Sequence, residues 1–148
     1  MFQLLDGRQE PAGVGGRTQQ VGGLPCSLVY RAFTDPDQLA QWFGPAGISV
    51  PRESVDMDVR PGGHQRLSMT DGSGAVVSRV DATFVEVVEN ELVVGQEGGM
   101  TLRIEFHPEG DDRTRLVIIQ GPLPTEYLEG ARAGWGTSWA KLEKVLAG

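Results

Sequence analysis

The sequence predicts a single α+β domain in which a long, aromatic-bearing C-terminal helix covers a curved antiparallel sheet. Three observations carry this. Apolar and polar residues alternate through much of 55–121, the pattern of strands wetted on one face. Short breaks rich in Gly, Pro and Asp divide that region into segments whose connections suit an antiparallel meander. After Pro124 the apolar spacing reverts to three and four, and the sheet is the only large surface such a stripe can cover. At 148 residues the chain has the length of one domain with one core.

Residues 1–16 hold several glycines, Pro11 and little periodicity, so they are expected to form a flexible leader, with the domain running over 17–148. Arg17 to Leu24 is predicted as a first strand, which Gly22 and Gly23 place at an edge or a bulge. Pro25 to Phe33 carries Leu28, Val29, Ala32 and Phe33 at helical spacing. A second helix starts at Thr34-Asp35-Pro36-Asp37-Gln38. There Asp35 can cap, Pro36 suits the first turn and Gln38 completes a capping box. Leu39, Trp42 and Phe43 form its apolar side, and Gly44-Pro45 stops it.

The period then changes from helical to alternating. Val55, Met57 and Val59 face one way and Asp56 and Asp58 the other, while Ile48 and Val50 have the opposite parity, so a bulge is expected near Pro51. Leu67 and Met69 continue the pattern after Pro61-Gly62-Gly63, and Asp71-Gly72-Ser73-Gly74 reads as a hairpin connection. Val76–Val88, Leu92–Gln96, Thr101–His107 and Arg113–Gly121 complete a sheet of about six to seven strands. Parity puts Val76, Val80, Ala82 and Phe84 on the face that meets the terminal helix, and Arg79 and Asp81 on the other. In the terminal helix Thr125 can cap, Glu126 and Glu129 suit the N-terminal dipole, and Leu128, Ala131, Trp135, Trp139, Leu142 and Leu146 form one stripe.

Composition narrows the function classes. The net charge of −7 gives no attraction to phosphate backbones or anionic lipid, so neither nucleic acid nor a membrane is expected as a partner. Cys26 is the only cysteine, which excludes an internal disulfide, and no segment is apolar enough to span a bilayer; a cytoplasmic protein is expected. His64, His107 and Cys26 lack the close spacing of a zinc site, so no metal and no cofactor are called for. Gly62-Gly63 precedes a strand rather than a helix, and reads as a tight turn rather than a phosphate cradle.

The order of strand, two short helices, antiparallel strands and long terminal helix resembles the helix-grip fold of the START and birch-pollen-allergen-like superfamily, which includes polyketide cyclase-like proteins. Four ordered segments are similar to the heat-shock-protein ATPase activator homologue family: Val29-Tyr30-Arg31-Ala32-Phe33-Thr34-Asp35-Pro36, Gln41-Trp42-Phe43-Gly44-Pro45, Asp58-Val59-Arg60-Pro61-Gly62-Gly63 and Gly134-Trp135. The similarity runs from about Arg17 to the C-terminus. Departures are His64 after the Gly-Gly pair, where an aromatic or aliphatic residue is expected, and Val93-Val94-Gly95, which lacks the tryptophan often found on strand five.

The resemblance implies a cavity between the long helix and the concave sheet face that takes lipids, polyketides, hormones or other apolar molecules. The leading expectation is therefore binding of a small hydrophobic or amphipathic ligand there, with a homodimer left open. Trp42, Phe43, Trp135 and Trp139 concentrate aromatic area on two helices, either as core or as pocket wall with indole N–H groups to orient a ligand. Met57, Met69, Phe84 and Ile104 are the strand residues expected to join them. One alternative is a cyclase, aromatase or hydrolase-like enzyme acting on a polyketide-type substrate, with Arg66, Arg79, Asp81 and Glu86 the polar strand residues to weigh for acid–base chemistry. Another is a chaperone-ATPase-stimulating interaction module; in the family's co-chaperone this domain accompanies a separate binding domain, which these 148 residues are not expected to hold.

Overall fold

The computed structural model describes residues 15–22, 24–121 and 125–147, with side chains over 24–121 and 135–147. Its elements are β1 (Gly15–Gly22), α1 (Cys26–Thr34), α2 (Pro36–Trp42), β2 (Asp56–Met57), β3 (His64–Thr70), β4 (Val76–Val88), β5 (Leu92–Glu97), β6 (Met100–Pro108), β7 (Arg113–Gly121) and α3 (Thr125–Ala147). The strands form one antiparallel sheet of seven in the order β1-β7-β6-β5-β4-β3-β2, with α1 and α2 between β1 and β2. This is the α+β helix-grip arrangement.

Local chemistry explains most boundaries. Asp35 Oδ1 accepts from the backbone N–H of Asp37 at 2.8 Å and of Gln38 at 3.4 Å, so one carboxylate satisfies two orphan donors at the start of α2. The turn before β3 needs Gly63, because a Cβ there would lie 1.9 Å from Asp58 O. That turn is pinned to the sheet: Gly62 N donates to Phe84 O at 2.8 Å and Phe84 N to Gly63 O at 2.9 Å. Phe84 is thereby fixed on the inner face.

Four expectations need correction or fall outside the description. The leader was expected to reach residue 16, yet Gly15 and Gly16 already pair with Gln120 and Ile119; residues 1–14 lie outside the described residues. Near Pro51 there is no bulge but a 3-10 turn over Arg52–Ser54, where Ser54 N donates to Pro51 O and Val55 N to Arg52 O. Winding those residues into a turn shortens the expected strand 55–59 to Asp56–Met57. Val76 does not share the inner face with Phe84: Met69 pairs with Ser78 but Thr70 with Val76, an extra residue that breaks the parity and leaves Val76 45% exposed. In α3, the side chains of Leu128 and Ala131 and the Thr125 cap lie outside the described residues, whereas Trp139 and Leu142 are buried and Trp135 and Leu146 pack against the core.

The core is aromatic at its centre. Phe33 meets Trp42 edge-on at 4.8 Å and Phe106 edge-on at 5.4 Å, and Tyr30 also meets Phe106 at 5.4 Å. Trp42 stacks on Trp139 with ring centroids 6.3 Å apart and planes 19° apart. Each such pair adds about 0.5–1.5 kcal/mol beyond the area it buries. Together they bolt α1, α2 and α3 to β6.

The outer face is polar. Arg103 Nε lies 2.7 Å from Glu105 Oε2 and His107 Nε2 2.7 Å from Glu105 Oε1. Burial opposes ionisation of Glu105, but the hydrogen bonds and charges of Arg103 and His107 outweigh it and hold its pKa below the ordinary 4.5. A carboxyl lowered in the folded state adds stability above its unfolded pKa and loses it as pH falls through the folded value. Urea midpoints measured below pH 4.5 should therefore drop, and Glu105→Gln should flatten that part of the acid limb; an unchanged limb would remove Glu105 as a contributor.

Candidate functional site

Between the sheet and α3 lies a cavity of about 350 Å³. Strand register explains its floor. Gln120 pairs with Leu102, Leu102 with Gly95 and Gly95 with Phe84, so these four form one row across the inner face. Ile104 and Val93 form the next row, and Gln65, Ala82 and Val80 extend the floor onto β3 and β4. Gly95 leaves this floor without a side chain at its middle. Phe33, Leu39 and the loop Phe43-Gly44-Pro45 supply one wall, and Trp135 and Ser138 of α3 the roof.

The loop that walls the cavity is tied to α3. Lys141 Nζ donates to Gly44 O at 3.0 Å and to Ile48 O at 2.8 Å, and Ala46 N donates to Thr137 Oγ1 at 3.1 Å. Burial lowers the Lys141 pKa, and the two carbonyls compensate the ammonium. Gly44 adopts φ +94°, a conformation open to glycine that turns the chain directly after α2.

Of the residues expected at a ligand site, the structure brings Phe43, Met69, Phe84, Ile104 and Trp135 onto the cavity wall. It does not place Trp42, Met57 or Trp139 there. Trp42 is fully buried among Phe33, Phe43 and Trp139, Trp139 is 3% exposed in the same cluster, and Met57 packs against the core from the short β2. Two of the three indole N–H groups are also committed. Trp42 Nε1 donates to Ala32 O at 2.9 Å and Trp135 Nε1 to Gln120 Oε1 at 3.1 Å, while Trp139 Nε1 is buried with no hydrogen-bond partner among the described residues.

Sequence reasoning missed the polar residues of the wall: Gln65, Glu97, Gln120 and Ser138. Parity carried a signal, since Gln65 is two residues before Leu67, Gln120 two after Ile118 and Glu97 four after Val93. The four polar strand residues weighed instead lie outside the cavity. Arg66, Arg79, Asp81 and Glu86 are exposed, with Arg66 Nε 3.2 Å from Asp81 Oδ1 across the outer face. Among the described residues no three of His, Cys, Asp and Glu gather as a metal site, and no helix is long and apolar enough to cross a membrane.

No curated protein matches the chain. Solved structures do. A protein from Nitrosomonas europaea is 25% identical, with 89% of this chain and 94% of that one covered and a TM-score of 0.75. An AHSA1 protein from Silicibacter pomeroyi shares 23% identity over 89% of this chain and 97% of its own, at a TM-score of 0.75. A Rhodobacter sphaeroides protein at 15% identity covers 93% and 96% with a TM-score of 0.78, and shows the same fold. Residues 24–147 match the family model described as Activator of Hsp90 ATPase homolog 1-like protein, and the chain belongs to that family.

Proposed function

We propose that the protein binds a small hydrophobic or amphipathic molecule in the cavity between the sheet and α3. The supporting observation is the cavity itself: about 350 Å³ walled mainly by aliphatic, aromatic and methionine side chains, within the size range of small-molecule pockets. Met69 and Met100 give the wall adaptable surface, and Phe43 and Trp135, edge-on at 6.2 Å, give it rigid surface. Binding is favoured over catalysis because Glu97 is the one carboxylate of the described lining, with no histidine, lysine or cysteine beside it on the wall.

The test is uptake of a neutral apolar fluorophore, N-phenyl-1-naphthylamine, together with a thermal-shift screen of apolar and amphipathic compounds. Saturable fluorescence enhancement is expected. A compound at a hundredfold excess over its Kd should add about 2.7 kcal/mol of stability, which shows as a raised Tm. No fluorophore uptake and no compound that raises Tm would sink the reading.

A further inference from the structure

Resting on that reading, we infer that the ligand is amphipathic with an uncharged head that both accepts and donates a hydrogen bond, such as a hydroxyl, and that Gln120 and Glu97 read it. The polar strand residues of the wall sit towards one end of the sheet. Glu97 pairs with Met100 at the start of β6, Gln120 pairs with Leu102 two residues further on, and Gln65 pairs with Ala82, beside the Thr83–Gln96 pair. The apolar body of a ligand then falls over Gly95, Phe84 and Ile104, with its head towards these groups.

The orientation of Gln120 follows from chemistry. An indole N–H can only donate, so the side-chain oxygen of Gln120 must face Trp135 Nε1, 3.1 Å away. Its NH₂ group is thereby turned to Met100, whose thioether sulfur at 3.6 Å is a weak acceptor. A donor held in place with so poor a partner at a cavity wall is matched by a ligand oxygen. Glu97 supplies the opposite half. Its Oε2 accepts from Asp81 N at 2.6 Å, which fixes the carboxylate, and its Oε1 has no protein donor among the described residues. A hydroxyl has the acceptor that suits the Gln120 NH₂ group and the donor that suits Glu97 Oε1, whereas a fatty carboxylate meets the charge of Glu97 and is disfavoured.

The experiment displaces N-phenyl-1-naphthylamine from the full chain with decan-1-ol, decyl methyl ether and decanoate. In the wild type the alcohol should displace at about tenfold lower concentration than the ether, with decanoate weakest. Glu97→Gln should improve decanoate about tenfold relative to the alcohol, because the repelling charge is gone. Gln120→Glu keeps the acceptor for Trp135 but removes the donor, and should weaken alcohol and ether alike about tenfold. Circular dichroism and urea unfolding show that each variant is folded, and its competitors are compared at that protein's own affinity for the fluorophore. Fluorophore uptake by the wild type with no gain of decanoate over the alcohol in Glu97→Gln, or with no weakening of alcohol and ether in Gln120→Glu, or with decanoate as the best competitor of the wild type, overturns the head-group assignment while leaving the binding reading standing. Absence of fluorophore uptake by the wild type overturns both.

Discussion

Trp42→Ala is expected to destabilise the domain by about 3–5 kcal/mol, the range for emptying a large aromatic site in a packed core. Trp42 has no exposed surface, so the whole side chain becomes cavity. Three neighbours lose a partner at once: Phe33 edge-on at 4.8 Å, Phe43 at 5.6 Å and Trp139 stacked at 6.3 Å. These come from α1, the end of α2 and α3, so no single side-chain rearrangement can refill the space. Ala32 O also loses the indole N–H it accepts at 2.9 Å. Trp42→Phe keeps a ring against Phe33 and Trp139 but drops that hydrogen bond, and should cost about 1–3 kcal/mol. Urea unfolding followed by circular dichroism measures both. A Trp42→Ala cost below 1 kcal/mol would show that the indole is not the joint between the helices.

The family motifs were legible because each has a local cause. Asp35 caps through its own carboxylate, and Gly63 is demanded by the approach of Asp58 O, neither of which depends on distant residues. Alternation found the long strands for the same reason. The division between core and cavity wall was not legible. Trp42 and Phe43 are neighbours in sequence, yet Trp42 points into the core and Phe43 onto the wall, because the helix ends between them and Phe43 turns to φ −65°, ψ 143°. Trp135 and Trp139 share one helical stripe, and only tertiary packing separates them: Trp139 is closed in by Phe33 and Trp42, while Trp135 faces the cavity beside Phe43. Gln65, Glu97 and Gln120 belong to no motif, and only their parity with buried neighbours pointed to the wall. The register shift in β4 opposite Met69 and Thr70 has no signature in a run of valines, and misplaced Val76.

Gly95→Leu is expected to abolish ligand uptake while leaving the protein folded, and so to separate a binding cavity from a packing defect. Gly95 stands in the row Gln120–Leu102–Gly95–Phe84, where every other member carries a side chain. Its backbone is not in the left-handed region, and a Cβ there would sit 3.6 Å from Thr83 O, an ordinary contact. A Cβ is therefore accommodated without a clash, and a branched aliphatic side chain on it is directed towards about 350 Å³ of space. In a strand interior, replacing glycine also restricts the unfolded chain and favours the folded one. The Tm of Gly95→Leu should equal or exceed that of the wild type, whereas N-phenyl-1-naphthylamine uptake should fall by more than tenfold. Gly95→Ala, which adds one methyl, should weaken uptake less and serves as the graded control. If Gly95→Leu is stable and still takes up the fluorophore as the wild type does, the ligand site is not this cavity.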